Sequence, residues 1–297
     1  MWVAQQDEHP SSVVAITPQP NELFGYEIID TVGQGAGSII YAASDPESRQ
    51  IVALKHVVVK VDKDQRFIEQ LRAELEVGQK VAHPALRKSL DLKTKTTWLG
   101  KVTEAALFME LVDGTPLDRE LPGDLVRLVD CFARTAEALG ALHALGYCHC
   151  DLKPANILLS ASGKTKVIDL GQASPLGTKK QRIQGTPDFI APEQVKCHAV
   201  TQQTDVFNLG ATMYWCLSGE KLPTLFTAGK GENSFVVNDQ IRTPHAIRPR
   251  VPENLSNLVM ECVKLKPERR PADMAEVARR LEVIRFGMTK ELRVSVA

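Results

Sequence analysis

The stretch HCDLKPAN, residues 149–156, places Asp151, Lys153 and Asn156 within six positions of one another. The apolar run ILL follows it, and after a turn the run KVI leads to a second aspartate, Asp169. The six defined residues of this stretch would arise by chance in a chain of this length with odds of about one in a hundred thousand. The combination of carboxylate, ammonium and amide groups is therefore a chemical signature and not a coincidence.

The sequence before residue 60 has the pattern of strands. Three runs alternate or are rich in β-branched residues: FGYEIIDTV from residue 24, SIIYAA from residue 38 and IVALKHVVV from residue 51. Runs of this kind, joined by turns such as DPESRQ, predict three strands. Apolar residues then recur at near-helical spacing between residues 64 and 82, which predicts a single helix that His83-Pro84 ends.

The sequence after residue 116 has the pattern of helices. The turn DGTP at 113–116 breaks regular structure and is the predicted hinge. Apolar residues then follow helical steps from Leu125 to Leu142, from Val206 to Leu217 and from Leu255 onward. The predicted fold class is α+β, with a small β-rich lobe over residues 24–112 and a larger helical lobe over residues 113–286.

Composition limits the possible functions. The chain has 297 residues, and 36 Lys and Arg balance 36 Asp and Glu. A neutral chain has no basic excess to bind nucleic acid or anionic lipid, and no apolar run approaches the roughly 18–20 residues that span a bilayer. We therefore expect neither nucleic acid nor a membrane as a partner. Six cysteines without a CxxC pair, and no signal-peptide pattern, predict free thiols in a cytoplasmic protein.

The two ends of the chain differ from the rest. Residues 1–23 hold three prolines and three acidic residues but no lysine or arginine, which predicts a disordered leader. A docking segment or an inhibitory strap is the alternative for this leader. Residues 287–297 are predicted to form a short, mildly basic tail.

Two segments of the small lobe have features of a phosphate site. GQGAGS at 33–38 lies between two predicted strands, where glycines let backbone N–H groups approach phosphate oxygens. Glycine-rich hairpin turns are also common without a ligand, so this segment alone is a weak indication. Lys55 lies inside an apolar strand, where its ammonium needs an anionic partner unless it reaches water at a sheet edge.

The stretch at 149–156 and the downstream Asp169 resemble those of the eukaryotic-like, or Hanks-type, Ser/Thr protein kinases, and the resemblance covers about residues 24–286. It implies a bilobal fold with a small antiparallel sheet, and compact loops favour a bacterial origin. It also implies transfer of the γ-phosphoryl group of ATP, with Mg²⁺, to Ser or Thr hydroxyls of protein substrates and of the kinase itself. The oligomeric state is left open.

The resemblance implies a role for each residue of the signature. Asp151 is similar to the carboxylate that orients the acceptor hydroxyl and takes its proton, and Lys153 to the lysine that neutralises the γ-phosphate. Asn156 and Asp169 match the two Mg²⁺ ligands, since hard oxygen donors suit that ion. Lys55, in the sequence VALK, matches the lysine that holds the α- and β-phosphates.

Lys55 requires a carboxylate partner from the predicted helix. Glu74 stands where the family's helix glutamate does, and Glu76 is the competing choice. Glu74 is preferred because it falls between Leu71 and Leu75 near the apolar stripe, whereas Glu76 is rotated from that stripe by roughly 200°. The alternative is that both glutamates are solvated helix charges.

The resemblance also implies a nucleotide pocket. Met109 matches the gatekeeper beside the adenine, and Glu110 and Val112 match the hinge residues. An apolar lining suits a planar base. The positions implied for ATP binding are Val32, Gly33, Gly35, Gly37, Ser38, Ile40, Ala53, Lys55, Glu74, Met109, Glu110, Val112 and Leu158.

The sequence GTP at 185–187 and APE at 191–193 resemble the end of the family's activation segment, which docks a peptide substrate with Thr186 near the catalytic residues. Arg270 is implied to pair with Glu193, and Asp205 to brace the backbone of the catalytic loop. These last three roles are structural, because ion pairs there fix the scaffold and touch no phosphate.

The sequence departs from the family pattern around both loops. Ser38 stands in place of the third glycine, and Gly37 stands where an aromatic residue often caps the loop. Cys150 replaces the arginine that commonly binds a phosphorylated activation segment, so we expect activity to depend little on that phosphorylation. Between residues 172 and 185 the hydroxyl-bearing residues are Ser174 and Thr178, the candidate phosphosites.

Two further departures concern apolar and sulfur-bearing side chains. Leu170 replaces a phenylalanine, an apolar exchange that is tolerable where the side chain packs between the lobes. Cys148 and Cys150 could form a redox-sensitive pair, but inert buried thiols are the favoured interpretation.

Two rival functions remain at this point. A pseudokinase is disfavoured because Lys55, Glu74, Asp151, Asn156 and Asp169 are all present. A small-molecule kinase is disfavoured because residues 185–193 resemble a peptide-docking segment.

Overall fold

The computed structural model describes residues 19–35, 37–222, 224–227, 234–237 and 241–296. Residues 1–18, most of the predicted leader, lie outside these ranges. Within them the chain forms a small lobe made mainly of strands and a larger lobe made mainly of helices, as the sequence pattern predicts. Among the described helices, none combines the length and the apolar character needed to cross a bilayer.

The elements follow one another in the order that the periodicity predicts. The strands are β1 (Glu22–Leu23), β2 (Tyr26–Gly35), β3 (Ser38–Ser44), β4 (Ile51–Val58), β5 (Ser89–Thr96), β6 (Val102–Glu110), β7 (Thr115–Pro116), β8 (Tyr147–Cys148), β9 (Ile157–Leu159), β10 (Thr165–Val167), β11 (Ser174–Pro175), β12 (Thr224–Thr227) and β13 (Ser234–Val237). The helices are α1 (Gln65–Lys80), α2 (Leu125–Ala144), α3 (Pro192–Val195), α4 (Gln202–Ser218), α5 (Pro244–Ile247), α6 (Glu253–Cys262) and α7 (Met274–Val296).

Six strands of the small lobe form one antiparallel sheet in the order β1-β2-β3-β4-β6-β5. Alternate residues of the central strand β4 face opposite sides of this sheet. Leu54 packs with Phe108 on one side, whereas Ala53 and Val57 pack against α1 on the other. Lys55 shares the side of Ala53 and Val57, so the alternation directs its side chain toward α1.

The first strand corrects the predicted extent of the leader. β1 falls within residues 1–23, yet it pairs with residues 26–27 at the start of β2. Gly25 lies in the turn between them with a φ of +85°, and Leu23 packs against the core of the sheet. Two residues are too few to show a strand period, which is why the sequence pattern misses this strand.

Helix α4 forms the centre of the larger lobe. Nearly all of its residues from Thr204 to Ser218 are buried, in a cluster that also includes residues of α2, α6 and α7. The helix ends at Gly219, whose φ of +78° lies in the left-handed region that glycine adopts without strain. Asp205 lies in its first turn and is thereby carried into a fully buried position.

The connection between the lobes lies at the predicted hinge. Residues 111–114 lead from β6 to β7, which pairs with β9 of the larger lobe. A Cβ atom at Gly114 would lie 3.2 Å from Cβ of Leu158, so glycine allows the connection to approach β9 closely.

Two backbone hydrogen bonds attach the chain after α1 to the larger lobe. The amide of Val167 donates to the carbonyl of Ala85 at 2.7 Å, and the amide of Arg87 donates to the carbonyl of Val167 at 3.0 Å. These bonds hold residues 85–87 beside β10, the strand that leads to Asp169.

The predicted tail is also corrected. Residues 287–296 continue helix α7 without interruption, and α7 packs along α2. Buried residues of α7 such as Val277 and Leu281 belong to the large-lobe core, which anchors the helix. Tertiary contacts upstream stabilise the helix, which therefore continues through residues 287–296.

Candidate active site

A buried network of charges joins three elements of the fold at Lys55. Its Nζ donates to Oε2 of Glu74 in α1 at 2.8 Å and to Oδ1 of Asp169 at 2.9 Å. The side chain of Glu74 is 2% exposed, whereas that of Asp169 is 35% exposed. Of the two glutamates considered from the sequence, Glu74 makes the contact, and Glu76 is exposed and pairs with Lys80.

The charges of this network reinforce one another. Burial opposes the charge on Lys55, but Asp169 and Glu74 outweigh burial and raise the pKa of the ammonium. Lys55 in turn lowers the pKa of the Asp169 carboxyl, against the effect of burial. Both groups are therefore charged at neutral pH, as binding of a phosphate and of a cation requires.

A second cluster lies in the loop after β8. The Thr186 hydroxyl donates to Oδ1 of Asp151 at 2.7 Å and accepts from Nζ of Lys153 at 2.9 Å. Nζ of Lys153 also lies 3.2 Å from Oδ2 of Asp151. The structure thus brings together Asp151, Lys153 and Thr186, as the resemblance implies. The Thr186 hydroxyl lies between a carboxylate and an ammonium.

Asn156 and Asp169 supply oxygen donors of the kind that bind Mg²⁺. The Asn156 amide nitrogen donates to the carbonyl of Asp151 at 2.8 Å, which leaves the amide oxygen as the atom for a cation. Oδ1 of Asp169 binds Lys55, and the partly exposed carboxylate keeps its second oxygen. Two hard, partly anionic donors fit a magnesium ion.

Asp205 braces the backbone of the catalytic loop, as the resemblance implies. Its carboxylate accepts the amide of His149 at 2.8 Å, the amide of Cys150 at 2.9 Å and Nε2 of His143 at 2.8 Å. Burial would raise the pKa of Asp205, but the bonds from His143 and the Cys150 amide lower it. The brace holds Cys150 at a φ of +64°, a strained conformation directly before Asp151.

Glu193 and Arg270 form the second structural contact that the resemblance implies. Two guanidinium nitrogens of Arg270 donate to the two carboxylate oxygens of Glu193 at 2.8 and 3.0 Å. The next residue, Gln194, is buried and donates to the carbonyls of Cys150 and Gln184. The segment after Thr186 is therefore attached both to the core and to the catalytic loop.

The residues expected around an adenine come from both lobes. Ala53 of β4 lies opposite Met109 of β6, and both are buried. Leu158 in β9 adds a buried apolar side chain from the larger lobe. The Glu110 carboxylate accepts from Lys166 of β10 at 2.7 and 2.9 Å, which ties the end of β6 to the larger lobe.

Steric contacts explain the unusual tip of the glycine-rich loop. A Cβ atom at Gly37 would lie 2.5 Å from the ring of Phe67, which α1 contributes. An aromatic residue at position 37 would collide with that ring. Phe67 therefore lies against the position where the family often has a loop aromatic.

The candidate phosphosites differ in accessibility. Ser174 is buried in β11, and its hydroxyl donates to the carbonyl of Gln172 at 3.1 Å. Burial makes Ser174 the less accessible of the two candidate phosphosites. Thr178 is partly exposed and stays a candidate.

Leu170, Cys148 and Cys150, which differ from the family pattern, are all buried. Leu170 is buried in the cluster that includes Val77 of α1, so it packs between the lobes as expected. Cys148 and Cys150 are buried, and contact with the Cys150 thiol, together with burial, raises the pKa of Cys148. A protonated, buried thiol reacts slowly, which favours inert thiols over a redox pair.

Comparison with known families agrees with this geometry. The family model described as "Protein kinase domain" matches residues 26–281, which include every group of the site. The chain belongs to the protein kinase family.

Two relatives of this kinase are bacterial. Serine/threonine-protein kinase PknA of Mycobacterium tuberculosis is 29% identical over 271 residues, which cover 88% of this chain and 62% of PknA. Serine/threonine-protein kinase PknB of the same organism is 29% identical over 276 residues, which cover 90% of this chain and 44% of PknB. The kinase thus spans about half to three fifths of the length of these relatives.

Three side chains that contact the kinase site could not be assigned to it from the sequence pattern. Phe67 lies against the loop, Gln194 bonds to the catalytic loop, and Arg87 donates to Oε1 of Glu74 at 2.9 Å. For Arg87 a signal exists, since a charged residue follows the apolar pair Ala85-Leu86 directly after the helix stop. For the other two, local sequence carries no comparable signal.

The two glutamates of α1 form a matched pair for mutation. We expect Glu74→Gln to lower kcat/KM for ATP about 10- to 100-fold, because a buried charge-assisted bond to Lys55 is lost. Glu76→Gln removes an exposed ion pair and is expected to change kcat/KM less than about twofold. Steady-state kinetics of both variants test this, and equal losses would contradict the assignment of Glu74.

The carboxylates whose pKa values are lowered predict acid sensitivity. Asp169 and Asp205 have pKa values below those of the unfolded chain, about 3.9, so their contribution to stability is present above that pH and is lost as the pH falls through their folded values. The free energy of unfolding of the kinase should therefore decrease on acidification below about pH 4. Denaturant titrations of wild type and Asp205→Asn at pH 3 to 7 test this. An equally steep decrease in the variant would show that Asp205 does not contribute.

Proposed function

We propose that this kinase transfers the γ-phosphoryl group of ATP to Ser or Thr hydroxyls of proteins. The observation that carries the proposal is the Thr186 hydroxyl held between Asp151 and Lys153. A threonine hydroxyl makes there the contacts that an acceptor hydroxyl needs, with a proton acceptor on one side and a cation on the other. The names of the two mycobacterial relatives support the same specificity.

The proposed reaction follows from these contacts. The acceptor oxygen forms a bond to the γ-phosphorus, its proton goes to the carboxylate of Asp151, and the bond between the γ-phosphorus and the ADP oxygen breaks. Lys153 compensates the negative charge on the transferred group, and Lys55 binds the α- and β-phosphates. Asn156 and Asp169 would hold Mg²⁺, which supplies further positive charge to the phosphate oxygens.

The proposed nucleotide site spans both lobes, which divide at residues 112–113. Val32, Ile40, Ala53 and Leu158 would enclose the adenine, with Met109 as gatekeeper. The main chain of Glu110 and Val112 would bind the base edge, and the backbone of residues 33–38 would cover the phosphates.

Two observations favour this proposal over its rivals. The Lys55–Glu74–Asp169 network is complete, whereas loss of chemistry would remove the reason to keep these three charged side chains together. Attachment of residues 184–194 to the catalytic loop through Gln194 supports a fixed docking surface for a polypeptide. Free thiols at all six cysteines fit a reducing cytoplasm.

The deciding experiment measures transfer from γ-labelled ATP with Mg²⁺ to the kinase itself and to a generic basic protein. We expect label on serine or threonine residues of either protein. Phosphoamino-acid analysis distinguishes these residues from tyrosine, and free sugars or amino alcohols as acceptors test the small-molecule alternative. ATP binding without transfer to any acceptor would contradict the proposal.

A further inference from the structure

Arg87 is a buried cation that the proposed reaction does not use. Its side chain is 7% exposed, and NH2 donates to Oε1 of Glu74 at 2.9 Å. The other oxygen of the same carboxylate, Oε2, accepts from Lys55. Each carboxylate oxygen of Glu74 therefore binds one cation. Lys55 lies on the side of the proposed phosphate site, and Arg87 lies on the other side.

The charges in this region balance only when Arg87 is included. Lys55 and Arg87 bring two positive charges, and Glu74 and Asp169 bring two negative charges. A buried carboxylate without a partner is costly, so Arg87 gives Glu74 a second partner that holds the carboxylate in place when Lys55 binds a phosphate.

The backbone of Arg87 is attached to the larger lobe. Its amide donates to the carbonyl of Val167, and the amide of Val167 donates to the carbonyl of Ala85. Val167 precedes Asp169 by two residues. The Ser89 hydroxyl donates to the carbonyl of Glu74 at 3.0 Å, which adds a second contact between this segment and α1.

We propose that Arg87 is a positioning residue that fixes α1 in its active place by binding Glu74 from the side opposite Lys55. The inference rests on the proposed function, since Lys55 is the phosphate-binding group that Glu74 orients. The cation that orders α1 is then Arg87, a permanent part of the folded chain.

The experiment compares Arg87→Met and Arg87→Lys with Lys88→Met, which removes the same charge from the exposed neighbour. Dephosphorylated proteins are used throughout. Three quantities are measured: amide-hydrogen exchange of residues 71–78 in α1, the dissociation constant for Mg²⁺-ATP, and kcat and KM for ATP.

For Arg87→Met we expect about tenfold faster exchange in α1 and a loss of about 10- to 100-fold in kcat/KM, because the bond to a buried charge is lost. Arg87→Lys should recover most of both losses, since an ammonium can still bind Oε1 of Glu74. Lys88→Met should match wild type. In the background of Glu74→Gln, Arg87→Met should add little further loss, because both changes act through the same carboxylate.

Three results would overturn the inference. These are wild-type exchange and kcat/KM in Arg87→Met, losses that multiply in the double variant, or a loss that Arg87→Lys does not recover although the variant is folded. If Arg87→Met does not fold, Arg87→Gln and the double variant Arg87→Gln/Glu74→Gln give the same comparison, because the amide removes the positive charge. Absence of phosphoryl transfer in the wild type would contradict the proposed function alone, because amide exchange and ATP binding need no transfer.

Discussion

Asp151→Asn is expected to reduce phosphoryl transfer by about 10²- to 10⁴-fold, because the amide cannot accept the proton of the acceptor hydroxyl. The change preserves size and keeps an oxygen that can accept the Thr186 hydroxyl, which now donates to Oδ1 at 2.7 Å. The dissociation constant for Mg²⁺-ATP should stay within about threefold of the wild-type value, since Asp151 is proposed to contact the acceptor and not the nucleotide. Single-turnover transfer and nucleotide titration measure the two effects separately.

The control for this variant is Asp118→Asn, which removes a carboxylate from the exposed turn after β7. It should leave transfer unchanged, because an exposed charge is screened by solvent. A similar loss in both variants would point to a general effect of charge. Full activity in Asp151→Asn would contradict the role of Asp151 as proton acceptor.

Arg270→Met is expected to lower the free energy of unfolding by about 3–5 kcal/mol, the usual effect of leaving one partner of a buried ion pair alone. All five N–H donors of Arg270 are used, two by Glu193 and the others by the carbonyls of Gln203, Lys264 and Leu265. Methionine fills part of the volume but satisfies none of these acceptors. Denaturant unfolding measures the loss.

Arg280 provides a control with nearly the same bond geometry at the surface. It binds both carboxylate oxygens of Glu261 at 2.6 and 2.9 Å, but its side chain is 31% exposed. Arg280→Met should cost about 0–1 kcal/mol, as solvent replaces the lost bonds. Equal costs for the two variants would show that burial does not determine the strength of the Glu193–Arg270 contact.

The periodicity of the sequence predicted the two lobes because their long elements bury one face or are buried throughout. The helices α1, α2 and α4 and the strands β2 to β4 each carry enough apolar positions to reveal a period. β1 has two residues and reveals none, and the end of α7 continues a helix that is anchored upstream. Both errors arise where packing against distant residues outweighs local pattern.

Some contacts of the site could be predicted from the local sequence, and others depend on packing against distant segments. The choice of Glu74 over Glu76 could be made from the sequence, because the angle around a helix is a local property. The burial of Ser174 could not, since it depends on how β11 pairs with β8. Gln194 and Phe67 were missed because their partners lie in other segments of the chain.

By itself, the sequence determined which chemical groups this protein is proposed to bring to a phosphate: the residues of 149–156, Asp169 and Lys55. Their spacing became informative through the resemblance to a family. The tertiary structure alone decided how these groups are held. Glu74 meets Arg87 across 13 residues and Lys55 across 19, and Lys55 meets Asp169 across 114. The geometry of such contacts follows from the packing of whole elements, because a buried charge is stable only where distant parts of the chain supply its partners.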